Sequence, residues 1–295
     1  MIGFYAFLIL EKFLMLLPKK LRRSFFISLG FIAYKLSKKY NKVIRDNLKF
    51  VYGDDVSEEF IQDIAKASFR QLALNLLHTM EIRYYSIDEL AKKVSFENDE
   101  VVKKAQEQNR SIIFVSAHYG YWEYAGAMLG ALRQPFLTVY KKMENKYFEE
   151  YLLSSRSKSK MKYVEKKGAT RSLLKHLQSR GSLLILIDTN VNKKEAITVD
   201  FLGKPTSHIK TTAYLARKFD AALIPALIHT TDDENFVIKF YDEIIPPKTD
   251  DADEDIKIST QMQTDWLSKE ILKNPKPWFW LHRRFKNDYP EIYKS

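Results

Sequence analysis

The sequence predicts an α/β fold with a mainly parallel central sheet flanked by helices, and three observations carry that prediction. From residue 111 onward, short and nearly uninterrupted apolar runs alternate with helical stretches, the pattern of strands covered on both faces. The 295 residues are 45% apolar and 14% aromatic, enough to bury a large core. The first fifty residues differ from the rest, being apolar and strongly basic. The expected organisation is therefore an N-terminal membrane-associating helical segment over residues 1–40 and a single α/β domain over 41–295.

The formal net charge is +11, and residues 1–50 hold eleven Lys/Arg against only Glu11 and Asp46. A basic arm points to nucleic acid or to an anionic membrane surface. Its richness in Phe and Leu favours anionic membrane lipid as the partner and argues against nucleic acid. The uncharged run from Met1 to Leu10 is broken by Glu11-Lys12 and resumes from Phe13 to Leu17. Lys19-Lys20-Leu21-Arg22-Arg23 then leads into a second uncharged run, Ser24 to Tyr34. Neither run alone reaches the roughly 20 apolar residues of a spanning helix, and no basic stretch precedes the first as in a secretory signal. The pattern predicts amphipathic helices lying in the headgroup region, the second starting at Pro18. A single tilted span over 2–17 is the alternative, provided Glu11 and Lys12 are compensated.

Ser57, followed by Glu58 and Glu59, caps a helix whose apolar residues recur at helical period to about Arg83. His78 falls on that apolar face and reads as a packed core histidine. Residues 87–94 and 99–108 read as short helices. The expected strands are 111–116, 135–140, 182–187, 196–201, 222–229 and 235–241. The expected helices are 119–132, 146–157, 170–179, 211–219 and 256–272, with the acidic run 250–255 as a solvated loop before the last.

The chemistry is narrowed by what the sequence lacks. With no cysteine there is no thiolate nucleophile, thiolate metal site or disulfide. No glycine-rich phosphate loop, His-Glu-x-x-His or Gly-x-Ser-x-Gly pattern occurs, so neither a metal nor a cofactor is expected. General-base catalysis by a histidine remains. His118 leaves the strand 111–116 at the edge where open α/β sheets bind ligands, and Asp188 leaves 182–187 at the same edge. Glu123, five residues after His118, is the expected carboxylate partner that fixes the histidine tautomer. The competing reading is a helix cap at His118 with Glu123 complementing the helix dipole. Clusters such as Lys141-Lys142, Arg156 with Lys158 and Lys160, and Arg283-Arg284 offer basic surface to acidic substrates.

His118-Tyr119-Gly120-Tyr121-Trp122-Glu123 resembles the H-x4-D/E box of the bacterial lipid A biosynthesis (late, lauroyl/myristoyl-type) acyltransferase family. Further blocks follow in the family's order. Asp188 with Val199-Asp200-Phe201-Leu202-Gly203-Lys204-Pro205 resembles its Asp-Gln…Phe-Phe-Gly-Arg-Pro segment, and 215–225 its helix-to-strand passage. Pro275-Lys276-Pro277-Trp278-Phe279-Trp280-Leu281-His282-Arg283-Arg284 matches its C-terminal Pro-x-x-Trp-x-Trp-x-His-Arg-Arg block, and Arg45-Asp46-Asn47-Leu48 matches near the N-terminus. Tyr121, Thr189, Leu202 and Lys204 depart from the pattern. The resemblance implies a glycerolipid-acyltransferase-like fold. It also implies a protein on the cytoplasmic face of the cell inner membrane, peripheral or held by one N-terminal span. The implied reaction moves a fatty acyl chain from acyl carrier protein to a hydroxyl of a Kdo-bearing lipid A precursor. His118 would be the base and Glu123 its partner, with Arg156, Asp188 and Lys204 serving the substrate; Lys141, from its basic cluster, is a further substrate-binding candidate. Another glycolipid acceptor, or a non-catalytic basic binding protein, is the alternative.

Overall fold

In a computed structural model, residues 2–193 and 196–294 are described; Met1 and Ser295, at the outer limits of the two expected segments, lie outside them. Seven strands form one sheet in the order β1-β9-β8-β2-β5-β3-β4. They are β1 (Val94–Glu97), β2 (Ile112–Ser116), β3 (Phe136–Tyr140), β4 (Lys162–Glu165), β5 (Ser182–Leu186), β8 (Ala222–His229) and β9 (Phe236–Phe240). Every pairing is parallel except β8 with β9. The sheet is covered on both faces, and β2 shows why its sequence reads as unbroken apolar. Ile112 and Phe114 enter one core cluster while Ile113 and Val115 enter the other, as the two-residue side-chain period of a strand requires.

The helices are α1 (Ile2–Leu16), α2 (Lys19–Leu36), α3 (Lys38–Tyr52), α4 (Glu58–Tyr84), α5 (Ile87–Ala91), α6 (Glu100–Glu107), α7 (Trp122–Leu132), α8 (Lys146–Arg156), α9 (Ala169–Gln178), α10 (Thr211–Phe219) and α11 (Ala252–Lys273). The Ser57 hydroxyl accepts from Phe60 N at the start of α4, as its sequence predicts. Residues 196–201 are a strand but not part of the main sheet. They form β6 (Ala196–Phe201), which pairs antiparallel with β7 (Lys204–Ile209) as a separate hairpin beside α11. Three strands are absent from the expectation: β1, β4 and β7. The first two are four residues long with two exposed or half-exposed faces, so they carry no apolar run; β7 holds a proline and three buried polar residues, Thr206, Ser207 and His208. The acidic run is not a loop. Asp251 caps α11, and Asp253, Glu254 and Asp255 occupy its first turn, where the helix dipole favours them.

The N-terminal helices are built into the body of the protein. Phe26 and Leu14 are core residues, and Gly30 sits where an added Cβ would lie 2.9 Å from Phe69 O, so α2 packs backbone-close on α4. Arg22 is buried and donates to Glu81 at 2.8 Å. Glu11 is buried too, accepting from Arg83 at 3.0 Å and from the Tyr151 hydroxyl at 2.6 Å. Among the described residues no helix is long and apolar enough to cross a membrane. The fifteen residues of α1 reach about 22 Å against a hydrocarbon core of about 30 Å, and Pro18 ends the run. The single tilted span is therefore not supported.

Candidate active site

The chain leaves β2 toward β3 on one side of the sheet and leaves β5 toward β8 on the other. Connections that part in opposite directions open a crevice at the carboxyl ends of the strands between them. β2 and β5 are paired with Ser116 opposite Leu186, and Ile187 N donates to Ser116 O at 2.9 Å. Two residues further along both strands, the same register brings His118 opposite Asp188. Asp188 Oδ1 lies 2.9 Å from His118 Nδ1, and Oδ2 accepts from the His118 backbone N at 2.9 Å. Trp278 Nε1 donates to the same Oδ2 at 3.0 Å.

The C-terminal block closes over this point as an added short strand. Gly120 N donates to Pro277 O at 2.9 Å and Phe279 N to His118 O at 3.0 Å, with Tyr119 and Trp278 bridged antiparallel. Trp278 thus reaches the buried side of Asp188, while the Trp122 and Phe279 rings lie 5.3 and 6.1 Å from the imidazole centroid. Asn47 on α3 holds the block in turn, donating to Trp280 O and His282 O at 2.8 and 2.9 Å. Gln71 and Asn75 on α4 donate to Gly120 O at 2.9 and 3.1 Å. Gly120 has φ +59°, and a Cβ there would stand 2.7 Å from Ile228 O. That turn lets the chain leave β2 through His118 and begin α7 four residues later.

The hydrogen-bond partner of His118 Nδ1 is Asp188, not Glu123, which corrects the pairing expected from spacing. Glu123 lies in the first turn of α7 and faces α8, where Arg156 binds it through two nitrogens, Nε at 3.0 Å and Nη2 at 2.6 Å. Its charge still reaches His118. The reason for the difference is geometric: the strand register aligns 118 with 188, whereas a first-turn helical residue projects away from the strand axis. Arg156 Nη1 is buried with no hydrogen-bond partner, a free donor on the residue that holds Glu123. Lys141, just after β3, is exposed and joins none of these contacts. Lys204 starts β7, its ammonium 5.1 Å from the Phe50 ring centroid. The structure brings together His118, Asp188, Glu123 and Arg156, and leaves Lys141 and Lys204 apart from that set.

Electrostatics follow from the contacts. Burial alone would lower the His118 pKa, but the Asp188 carboxylate, by charge and hydrogen bond, and Glu123 by charge hold it above the ordinary histidine value. Burial would raise Asp188; His118, the Trp278 indole and the His118 backbone N–H outweigh it and hold the carboxyl at about 2. A neutral His118 therefore carries its proton on Nδ1 facing Asp188, leaving Nε2 as the basic nitrogen. Burial pushes His282 down to about 4, and its Nε2 is buried without a partner; Asp188 pulls it up and His118 pushes it further down. Beneath Asp188, the buried Arg284 donates to Ser207 O at 2.9 Å and meets His208 Nε2 at 2.6 Å.

Several of these residues carry no individual sequence signal. Gln71 and Asn75 sit in a helix that reads as scaffold, and Trp278 reads as a core or interfacial aromatic. Trp278 is in fact buried, and the one hint of its second task is that Trp carries an N–H needing a partner when buried. His78 is packed as expected, against Tyr121, Tyr124 and Phe236, with Nδ1 3.0 Å from Glu81. Among the described residues no cluster of His, Asp and Glu is arranged to hold a metal ion.

Residues 1–287 match the family model of bacterial lipid A biosynthesis acyltransferases. The curated relatives are distant but nearly full length. A lipid A biosynthesis palmitoleoyltransferase of Escherichia coli K12 is 23% identical over 258 residues, covering 88% of this chain and 82% of its own. A lauroyltransferase of the same organism is 22% identical over 88% of this chain and 83% of its own. A lipid A biosynthesis acyltransferase of Haemophilus influenzae is 23% identical over 87% and 80%. The H-x4-E box at the crevice and a match spanning almost the whole chain lead to one conclusion: this protein belongs to the bacterial lipid A biosynthesis acyltransferase family, and is an acyltransferase of lipid A biosynthesis.

Proposed function

We propose that the protein transfers a fatty acyl group from the thioester of an acyl carrier protein to a hydroxyl of a Kdo-bearing lipid A precursor, with His118 as general base. The observation that carries this reading is the hydrogen bond from His118 Nδ1 to the buried Asp188 at the rim of the β2/β5 crevice. It supplies what a base needs: a fixed tautomer, a partner that stabilises the imidazolium, and Nε2 left for the acceptor. His118 Nε2 takes the hydroxyl proton as the oxygen attacks the thioester carbonyl. The C–S bond then breaks, and the leaving thiolate takes the proton back from the imidazolium. No enzyme nucleophile is required, because a thioester carries a good leaving group.

The tetrahedral oxyanion needs donors aimed at it before it forms. Two sources are available, on α7 and α8. The first-turn amides of α7 have no side-chain cap, and Arg156 has an unpartnered Nη1 held in place by Glu123. On this reading Glu123 is a positioning residue for Arg156 and adds negative charge near His118. Lys141 and Lys204 are left to long-range attraction of the acidic carrier protein and acceptor.

The reading includes the cytoplasmic face of the inner membrane. Tyr5, Ile9, Phe13 and Leu16 on α1 are exposed, as are Leu21, Phe25, Leu29, Ile32 and Leu36 on α2. Their spacings of three and four place each set on one helical stripe, flanked by Lys12, Lys19, Lys20 and Lys35. Such a face suits an interfacial rather than a spanning attachment. The test is purified His118→Ala protein with acyl-carrier-protein donor and lipid A precursor. Turnover is expected to disappear while circular dichroism and vesicle binding persist; retained transfer overturns the mechanism. Mass spectrometry of lipid A from cells lacking the protein is expected to show one secondary acyl chain missing, whereas an intact lipid A would move the acceptor to another glycolipid.

A further inference from the structure

A cleft of about 440 Å³ lies between α2, α3 and α4, away from the residues around His118, and is lined by Tyr34, Lys35, Lys38, Asn41, Lys42, Arg45, Ile61, Gln62 and Ala65. Four of these are cations. Lys42 is paired with Asp46 at 2.8 Å, and Arg45 with Glu58, its Nη2 to Oε2 at 2.6 Å. Lys35 rests over the Phe31 and Tyr34 rings at 5.4 and 5.9 Å, and among the described residues no carboxylate is paired with Lys35 or Lys38. Among the described residues, Lys42 and Arg45 are thus set against carboxylates, whereas Lys35 and Lys38 are not. Next to the cleft on α2, Phe31, over whose ring Lys35 rests, is 53% exposed, and Ile32 and Leu36 of the apolar stripe are 52% and 76% exposed. Its floor, Ile61 and Ala65, is apolar. Asn41 contributes a side-chain oxygen that is buried and has no partner, an acceptor set among the cations.

We infer that the cleft formed by Lys35, Lys38, Asn41, Lys42 and Arg45 binds the headgroup of an anionic glycerophospholipid of the bilayer on which the apolar stripes of α1 and α2 rest. The inference builds on the membrane-surface reading above and narrows it from a diffuse basic face to one discrete site. The chemistry of each part matches one part of such a lipid. Lys35 and Lys38 face the phosphate, Asn41 Oδ1 accepts from a headgroup hydroxyl, and the acyl chains follow Ile32 and Leu36 away from the protein. A zwitterionic choline headgroup would add a cation beside Lys42 and Arg45 and has no hydroxyl for Asn41. Because α3 also carries Asn47, which holds the Trp280–His282 segment, a lipid in this cleft fixes the orientation of the crevice relative to the bilayer.

The experiment is calorimetric titration of the full-length protein with short-chain phosphatidylglycerol below its micelle concentration, beside sedimentation with phosphatidylglycerol vesicles. Saturable binding of one lipid per chain is expected. The double variant Lys35→Ser/Lys38→Ser is expected to weaken it by roughly 30-fold, as two lysines near an anionic headgroup imply. Lys19→Ser/Lys20→Ser removes equal charge from the start of α2, outside the cleft, and is expected to leave the titration unchanged. Short-chain phosphatidylcholine is expected not to bind, and inorganic phosphate to bind at least tenfold more weakly than the lipid, since it lacks the apolar contacts. Equal weakening by both lysine pairs means a diffuse basic face and overturns the site. Phosphate binding as tight as the lipid reassigns it to free phosphate and overturns the lipid assignment. The vesicle arm separates the two levels. Wild-type protein that fails to sediment overturns the membrane reading itself, whereas wild type that sediments without saturable short-chain binding overturns the cleft alone.

Discussion

Replacing Asp188 by Asn tests the proposed mechanism most directly, because it keeps the size of the side chain and removes its charge. Asp188 accepts three hydrogen bonds, from His118 Nδ1, His118 N and Trp278 Nε1. The amide has one oxygen to share between the backbone N–H and the indole. Its NH2 then faces His118 Nδ1 and selects the tautomer protonated on Nε2, which cannot take a proton from an acceptor hydroxyl. Loss of the orienting carboxylate with the wrong tautomer costs roughly 10⁴ in kcat in the serine-protease arrangement, or about 5.5 kcal/mol of transition-state stabilisation. We expect a loss of that order here, with KM for the acyl donor changed little. The same substitution removes the main influence that raises the His118 pKa, so burial prevails and the residual activity should show its acid limb at lower pH. In the wild type that limb lies above 6.5, the ordinary value, because His118 is held higher and must be neutral to act. The assay is the pH dependence of acyl transfer by purified protein, with circular dichroism and urea unfolding as folding controls. Activity within a few-fold of wild type with an unmoved acid limb would refute the role given to Asp188.

Other substitutions probe neighbouring parts of the site. Arg156→Lys keeps the charge but cannot hold Glu123 through two nitrogens; kcat should fall about 10²-fold, the cost of one oxyanion donor, with little change in KM. A rise in KM alone would instead assign Arg156 to ground-state binding. Gly120→Ala forces a residue at φ +59° with its Cβ 2.7 Å from Ile228 O; urea unfolding should show about 2–4 kcal/mol of destabilisation, with transfer lost alongside because His118 is two residues away. Substituting Ile9, Phe13 and Leu16 by Ser should leave unfolding free energy nearly unchanged and reduce vesicle sedimentation; an unchanged sedimentation would argue against the α1 stripe. Unfolding followed against pH should show the Asp188 contribution complete above pH 3.8 and lost as pH falls toward about 2. The His118 contribution has the opposite sign, present below 6.5 and lost as pH rises through its elevated folded value.

How much of this could be read in advance depends on where the information resides. β2, β5 and β8 are legible because burial on both faces turns them into apolar runs with no competing reading. β1 and β4 are short edge-side strands whose partners, not their composition, make them strands. The β6 segment reads as a strand correctly, yet its pairing with β7 outside the main sheet depends on the Leu202-Gly203 turn, where both residues have positive φ, and on α11. The acidic run 250–255 reads as solvated loop from charge alone, whereas its first-turn position and the Asp255–Arg217 ion pair belong to the folded helix.

The fold class, His118 as the candidate base, Asp188 at the same sheet edge and, through ordered blocks spread over the chain, the family were all legible in the chain alone. These follow from local composition and from spacing, which survive without coordinates. The tertiary structure decided which carboxylate His118 holds. Strand register is a long-range property, and only the pairing of Ser116 with Leu186 places residues 118 and 188 opposite one another while Glu123 turns to Arg156 across α7 and α8. It also decided the standing of the N-terminal helices. Their charge and apolarity are legible from sequence, but buried pairs such as Arg22–Glu81 and Glu11–Arg83 join residues some sixty to seventy apart and anchor α1 and α2 to α4. That leaves one stripe of each helix facing outward, with a basic cleft beside the stripe of α2.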